Sequence, residues 1–147
     1  MNLQMSQSEL PVDENKLSQI ETAYQFRFPE QYKAFLLQSN GGKIIPKNFS
    51  FGDEDYEGSR IDRFLAVYDG KSNNFETYFK IYQLEAQRIP ENLVPIAHDD
   101  GGNLICISVE GEDSGAVYFW DHEYEMEEEV NVFLIKADFN EFLASLT

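Results

Sequence analysis

Apolar residues recur at three- and four-residue intervals near the start of the chain. Leu17, Ile20, Ala23 and Tyr24 form one face of an amphipathic helix, and Asp13 is placed to cap its first turn. Phe26 and Phe28 extend the apolar content to Pro29. Pro29 suits the first position of a second helix, where its missing N–H would have no helical partner anyway. That helix turns Tyr32, Phe35, Leu36 and Ser39 to one side and stops at "SNGG", where Gly41 or Gly42 can take a left-handed conformation. The short break implies that the two helices pack together. Phe75, Tyr78, Phe79 and Tyr82 predict a third helix within "NNFETYFKIYQLEA". A last helix is predicted in "ADFNEFLASL", with Phe139, Phe142, Leu143 and Leu146 inward and Asp138 and Glu141 spaced as a capping box.

Between these helices the period changes to that of strands. "NFSF" and "IDRFLAV" flank the acidic loop "GDEDYEGS", and "PIAH", "NLICISV", "AVYFWDH" and "NVFLI" follow with turns between them. The two prolines of "IPENLVPIA" exclude a helix interior and a central strand position at those sites. Residues 1–12 are polar and read as a loose leader, and 13–147 as one domain. No repeat or linker divides the chain. The order of elements predicts an α+β fold: a mainly antiparallel sheet packed against N-terminal, middle and C-terminal helices.

Composition narrows the function classes. The chain has 147 residues, 42% hydrophobic and 14% aromatic, enough for a self-sufficient core. It carries 27 acidic and 11 basic side chains, a formal charge of -16. Such a balance repels nucleic-acid phosphates and anionic membranes and speeds encounter with a basic partner. A single cysteine, Cys106, allows no internal disulfide. The N-terminus lacks the basic start and apolar stretch of a signal peptide, and no run of about 18 apolar residues occurs. These features predict a cytoplasmic protein.

The stretch "HDDGGNLICISVEGEDSGAVYFWDHE" contains both histidines, each beside an aspartate, and tests the case for chemistry. Pairing His98 with Asn103 and Val109 with Ala116 places His98, Asn103 and His122 abreast on three strands. Two strand gaps then separate the histidines by roughly 9.5 Å. A zinc ion needs each nitrogen at about 2 Å. The same register puts Ile105 beside Ile96 and Trp120, and Ile107 beside Tyr118, forming one apolar face. The other face, with Cys106 beside Phe119, is also apolar and needs a helix or a partner to cover it. Asp99, Asp100, Gly101 and Gly102 have the character of turn residues.

Other motifs fail on spacing. The loop from Asp53 resembles a calcium loop until its twelfth position, which is Phe64 where a bidentate Glu is required. "SNGGK" lacks phosphate-loop spacing and follows a helix where an anion site would open one. No G-x-S-x-G elbow is present, and Cys106 lies in an apolar run where a structural thiol is expected. The aromatic residues lack the interleaved Lys and Arg of a nucleic-acid platform. No cofactor or metal site is expected.

Two stretches resemble a known family. In "ETAYQFRFPEQYKAFLLQSNGG", Glu21, Phe28, Pro29, Tyr32, Phe35, Leu36, Asn40 and Gly41 fit the N-terminal signature of the SMI1/KNR4 (SUKH) superfamily. In "VPIAHDDGGNLICISVEGEDSGAVYFWDHE", Asp100, Gly102, Asn103, Gly115, Val117, Tyr118, Trp120, Asp121 and His122 fit its central signature. The closing helix is similar too, so the resemblance spans about residues 14–146. Tyr24-Gln25 stands where the family has Leu-Gly, and Phe28 where it has Leu. The resemblance implies a non-catalytic protein-binding module. Bacterial members look like immunity proteins that neutralise cognate toxins, often nucleases, and fungal members look like regulators of cell-wall synthesis. A toxin inhibitor is the first expectation, an intracellular regulator or scaffold the second, and a small metal-dependent hydrolase a distant third. Charge and predicted loops nominate Asp53, Glu54, Asp55, Tyr56, Glu57, Asp113, Glu127, Glu128 and Glu129 as partner-binding residues, with Tyr56 as an aromatic anchor.

Overall fold

The fold is taken from a computed structural model that describes residues 3–52, 57–124 and 131–147. Helix α1 (Glu14–Tyr24) opens where expected, with the Asp13 carboxylate accepting from the Lys16 N–H. Leu17 and Ile20 are buried, but Ala23 is exposed. Helix α2 (Glu30–Gln38) buries Tyr32 and Leu36 and half-buries Phe35. Pro29 stands one place earlier than expected, as the extended residue preceding the first turn. Its fixed φ serves that position equally well. Ser39 caps the other end instead of continuing the buried face.

The N-terminal segment is not loose. Strand β1 (Gln4–Ser6) pairs antiparallel with β2 (Lys43–Ile45). Farther on, the Glu9 N–H donates to the Asn40 carbonyl, and the Asn40 side chain donates to the Leu10 carbonyl. Backbone pairing holds this stretch without help from its polar side chains, and composition does not reveal such pairing.

A second two-stranded ribbon joins β3 (Asn48–Ser50) to β4 (Gly58–Arg60). The main sheet has five antiparallel strands in chain order: β5 (Arg63–Phe64), β6 (Leu93–His98), β7 (Leu104–Ser108), β8 (Val117–Trp120) and β9 (Val132–Lys136). Pro95 lies within β6, contrary to the expectation that it would avoid a central strand. The two-residue β5 reaches only Ala97 and His98, and a register shift falls between Pro95 and Ala97. Pro95 pairs with Cys106 on the β7 side, while its other side lies past the end of β5 beside the bulge, where a missing N–H costs little.

The register of β7 against β8 also differs from the expected one by a single residue. Ile105 faces Phe119, Cys106 faces Tyr118 and Leu104 faces Trp120, while His98 pairs with Leu104 instead of Asn103. The cause lies in the loop. The Gly115 N–H donates to the Ser108 carbonyl and the Ser108 N–H to the Ala116 carbonyl, so Ser108 closes the hairpin. Val109 joins the loop, and its N–H donates to the Asn92 carbonyl. Because side chains alternate, a one-residue slip exchanges the faces of one strand relative to the other.

The two faces consequently hold different sets. Ile105, Ile107, Val117, Phe119 and Ile135 face the main core, which α1, α2 and α4 (Phe139–Ala144) complete with Leu17, Leu36, Phe139 and Phe142. Leu104, Cys106 and Trp120 form a second core with Leu93 and Ile89. Helix α3 (Phe75–Phe79) and the π-helical turn after it (Lys80–Glu85) bring Tyr78 and Tyr82 to this second core. The cover sought for that face is thus supplied within the chain, at least around Trp120. The Arg88 guanidinium stands 5.1 Å from the ring centroids of both Tyr82 and Trp120.

Candidate functional site

The turn between β6 and β7 is built on Asp99. This carboxylate is 5% exposed and accepts from Ser59 Oγ, the Gly101 N–H, the Asn103 N–H and Asn103 Nδ2, all at 2.8–2.9 Å. Asn103 Oδ1 then accepts the His122 N–H at 3.0 Å and lies 2.6 Å from His122 Nδ1. Gly102 holds φ at +91°, and a Cβ there would stand 3.2 Å from the His122 ring. Ser59, Asp99, Asn103 and His122 therefore form one relay joining β4, the turn and the chain after β8. Asp100 is the exposed member of the pair. It binds Arg60 at 2.8 Å, and that hydrogen bond holds its carboxyl below the usual range.

The sequence marks Asp99, Asp100, Gly101 and Gly102 as turn residues, and Asp100, Gly102 and Asn103 as signature positions of this hairpin. Gly102 and Asn103 take part, but Asp99 does the central work. Its "Asx" character was legible, whereas the choice between two adjacent aspartates depends on Ser59 arriving from β4.

His98 serves another neighbourhood. Its Nε2 lies 2.6 Å from Asn73 Oδ1, its Nδ1 is 3.0 Å from the Asp99 carbonyl and 3.6 Å from Asp62 Oδ2, and its ring stacks on Tyr78. The two histidines have separate partners. Among the described residues, no group of three His, Cys, Asp or Glu side chains is arranged to hold a metal ion. The Cys106 thiol is fully buried, and desolvation pushes its pKa well up, which makes it a poor nucleophile.

Beside the Asp99 turn runs a surface groove of about 580 Å³. Glu57, Ser59, Arg60 and Asp100 line it, together with Asn48 from β3 and Thr147 at the chain end. Glu57 is one of the residues nominated for partner binding. Asp53, Glu54, Asp55 and Tyr56, which connect β3 to this wall, lie outside the described residues, as do Glu127, Glu128 and Glu129. Asp113 stands elsewhere, in the β7–β8 loop, where it accepts from Tyr118 Oη at 2.6 Å and Ser108 Oγ at 2.8 Å. The Tyr118 hydrogen bond holds the Asp113 carboxyl below its usual range, while burial, aided by that carboxylate, pushes Tyr118 up to about 12. Glu57 and Asp113 thus belong to different surfaces, and Asp113 fastens a hairpin.

The remaining signature residues have structural duties. Glu21 accepts from the Phe28 N–H and approaches Lys33, tying α1 to α2. Buried Asn40 bonds the backbone of Leu10 and both polar groups of Val67. Gly41, at φ +72°, has no room for a Cβ, which would meet Ala66 at 2.6 Å. Gly115 takes φ +96°, and Asp121 Oδ1 accepts from the Glu123 N–H. Tyr32, Phe35, Leu36 and Trp120 pack the two cores. Tyr32 Oη and Trp120 Nε1 have no hydrogen-bond partner among the described residues.

An antiparallel meander backed by helices, with its histidines and turn aspartates committed to hydrogen bonds within the fold, defines an α+β domain with an open polar groove. The comparisons agree on the class. The SMI1 / KNR4 family (SUKH-1) matches residues 11–145, and the chain belongs to that family. It is similar to the SPbeta prophage-derived uncharacterized protein YokK of Bacillus subtilis (strain 168), at 29% identity over 144 residues, covering 89% of this chain and 72% of that protein. Among the described residues, no helix is long and apolar enough to cross a membrane.

Proposed function

We propose that this protein is a non-catalytic, cytoplasmic binding module: an immunity protein that neutralises a cognate toxin with a basic surface, such as a nuclease. The observation behind this reading is the division of labour among its polar groups. Asp99, Asn103 and both histidines are occupied in holding the fold, while the surplus of carboxylates, 27 acidic against 11 basic side chains, remains as its distinctive chemistry. Such a field speeds encounter with a cationic enzyme and stands in for the phosphates that enzyme would grip. Membership of the family supports the reading, and so does a relative named for its prophage origin.

The test is capture of the partner from the native cell, followed by expression of that partner alone. Toxicity relieved by restoring this chain is expected. A partner that is harmless in every condition sinks the immunity reading and leaves a regulator or scaffold. Reversing the charges of Glu127, Glu128 and Glu129 should weaken association and flatten its salt dependence. Unchanged binding would remove those residues from the interface.

A further inference from the structure

The segment after β1 and the turn after β5 enclose a cleft of about 440 Å³. Leu10 stands at its lip, 84% exposed, more than any other large apolar side chain among the described residues. Free chain ends often expose leucine, but this backbone is fixed. Asn40, 2% exposed, donates from one side-chain nitrogen to both the Leu10 and Val67 carbonyls at 2.8 Å, and accepts the Val67 N–H at 2.9 Å. The two walls are therefore clamped to one buried amide. Buried Asn74 holds the far wall similarly, donating to the Tyr68 and Gly70 carbonyls.

Apolar surface lines this rigid cleft through Leu10, Pro11, Val12 and Val67. Its rim carries Glu9, Asp13 and Asp69, opposed by Lys16, which also lies 4.0 Å from Glu76. An exposed apolar anchor on a pre-set backbone loses little freedom when covered, so burying it favours association. The rim selects what covers it. A second copy of a chain with charge -16 is repelled, and so is a nucleic acid.

We propose that the Leu10–Val67 cleft is a docking surface for an extended segment of a partner protein in which an aliphatic side chain is flanked by lysine or arginine. The aliphatic group packs on Leu10 and Val12 while the cations meet Asp69 and Glu9. The proposal rests on the reading that the protein acts by binding another protein, and it adds where one segment of that partner sits.

The test uses no toxin. The full chain, labelled with ¹⁵N, is titrated with a capped nonapeptide of alternating lysine and leucine. Control peptides replace leucine by serine or lysine by glutamate. The expected result is amide shifts clustered at Glu9–Asp13 and Val67–Gly70, with binding weakened about tenfold by Leu10→Ser and by Asp69→Lys, and no binding of the glutamate peptide. Leu10 and Asp69 are both exposed, so neither change threatens the fold. Shifts spread over the whole acidic surface, equal binding of the serine peptide, or indifference to Leu10→Ser would each overturn the proposal. Failure here leaves the toxin capture to decide the broader function, and failure of that capture does not alter the titration.

Discussion

Gln25 ends α1 with φ 59° and ψ 48°, the left-handed conformation, and its N–H donates to the Glu21 carbonyl. Glycine takes this position without a Cβ penalty and is the usual residue there. The family's Leu-Gly stands where this chain has Tyr24-Gln25, so this departure from the family pattern marks a strained helix end. Gln25→Gly should stabilise the protein by about 0.5–1 kcal/mol, because strain relief exceeds the added freedom of the unfolded glycine. A raised urea midpoint at unchanged slope is the expected reading. Adjacent aspartates offer a sharper contrast. Asp99→Ala strands the N–H groups of Gly101 and Asn103 and should cost about 2 kcal/mol. Asp100→Ala removes an exposed ion pair with Arg60 and should leave the midpoint near its original value. Equal losses from the two would contradict the role given to Asp99. The sequence announces a turn at "DDGG", but which aspartate is buried depends on a strand 40 positions away in the chain.

At the scale of elements, local chemistry was legible and pairing was not. Caps at Asp13 and Asp138 and the helical spacing around Phe75 depend on neighbours within a turn, and each is found. The β7–β8 register depends on how residues 109–115 fold back, and Asp113 fastens them through Ser108 and Tyr118. That fastening has a pH signature. Asp113 is held below the carboxyl's ordinary 3.8, so its contribution is complete above that value and fades as pH falls through the lowered one. Tyr118 is raised from 10.0 to about 12, so its contribution is complete below 10.0 and fades as pH climbs toward 12. Comparing the wild type with Tyr118→Phe by urea unfolding should show a gap of about 1 kcal/mol across the neutral range. The gap should close at both extremes. A gap independent of pH would mean that Tyr118 contributes packing alone.

For the whole molecule, charge was the most legible property, and it makes a claim about stability as well as about partners. With 27 acidic and 11 basic side chains, folding concentrates like charges that the unfolded chain holds farther apart. Added salt acts on two opposed terms. It screens this repulsion, and it also weakens pairs such as Lys16–Glu76, Lys33–Glu21 and Arg60–Asp100. The exposed pairs contribute about 0–1 kcal/mol each, Lys33–Glu21 is partly buried, and Lys16–Glu76 is already stretched to 4.0 Å. Repulsion, in contrast, is summed over every carboxylate within the screening length, which falls from about 30 Å at 0.01 M to about 8 Å at 0.15 M. The repulsive term therefore changes more. The melting temperature should rise by several degrees between about 0.01 and 0.5 M sodium chloride, steeply at first and then levelling as the screening length drops below the spacing of the charges. Potassium chloride should act alike, since screening depends on ionic strength and not on a specific cation. A melting temperature that falls with salt would show that ion pairs outweigh repulsion, and that the excess carboxylates are set too far apart to act as one field on a partner either.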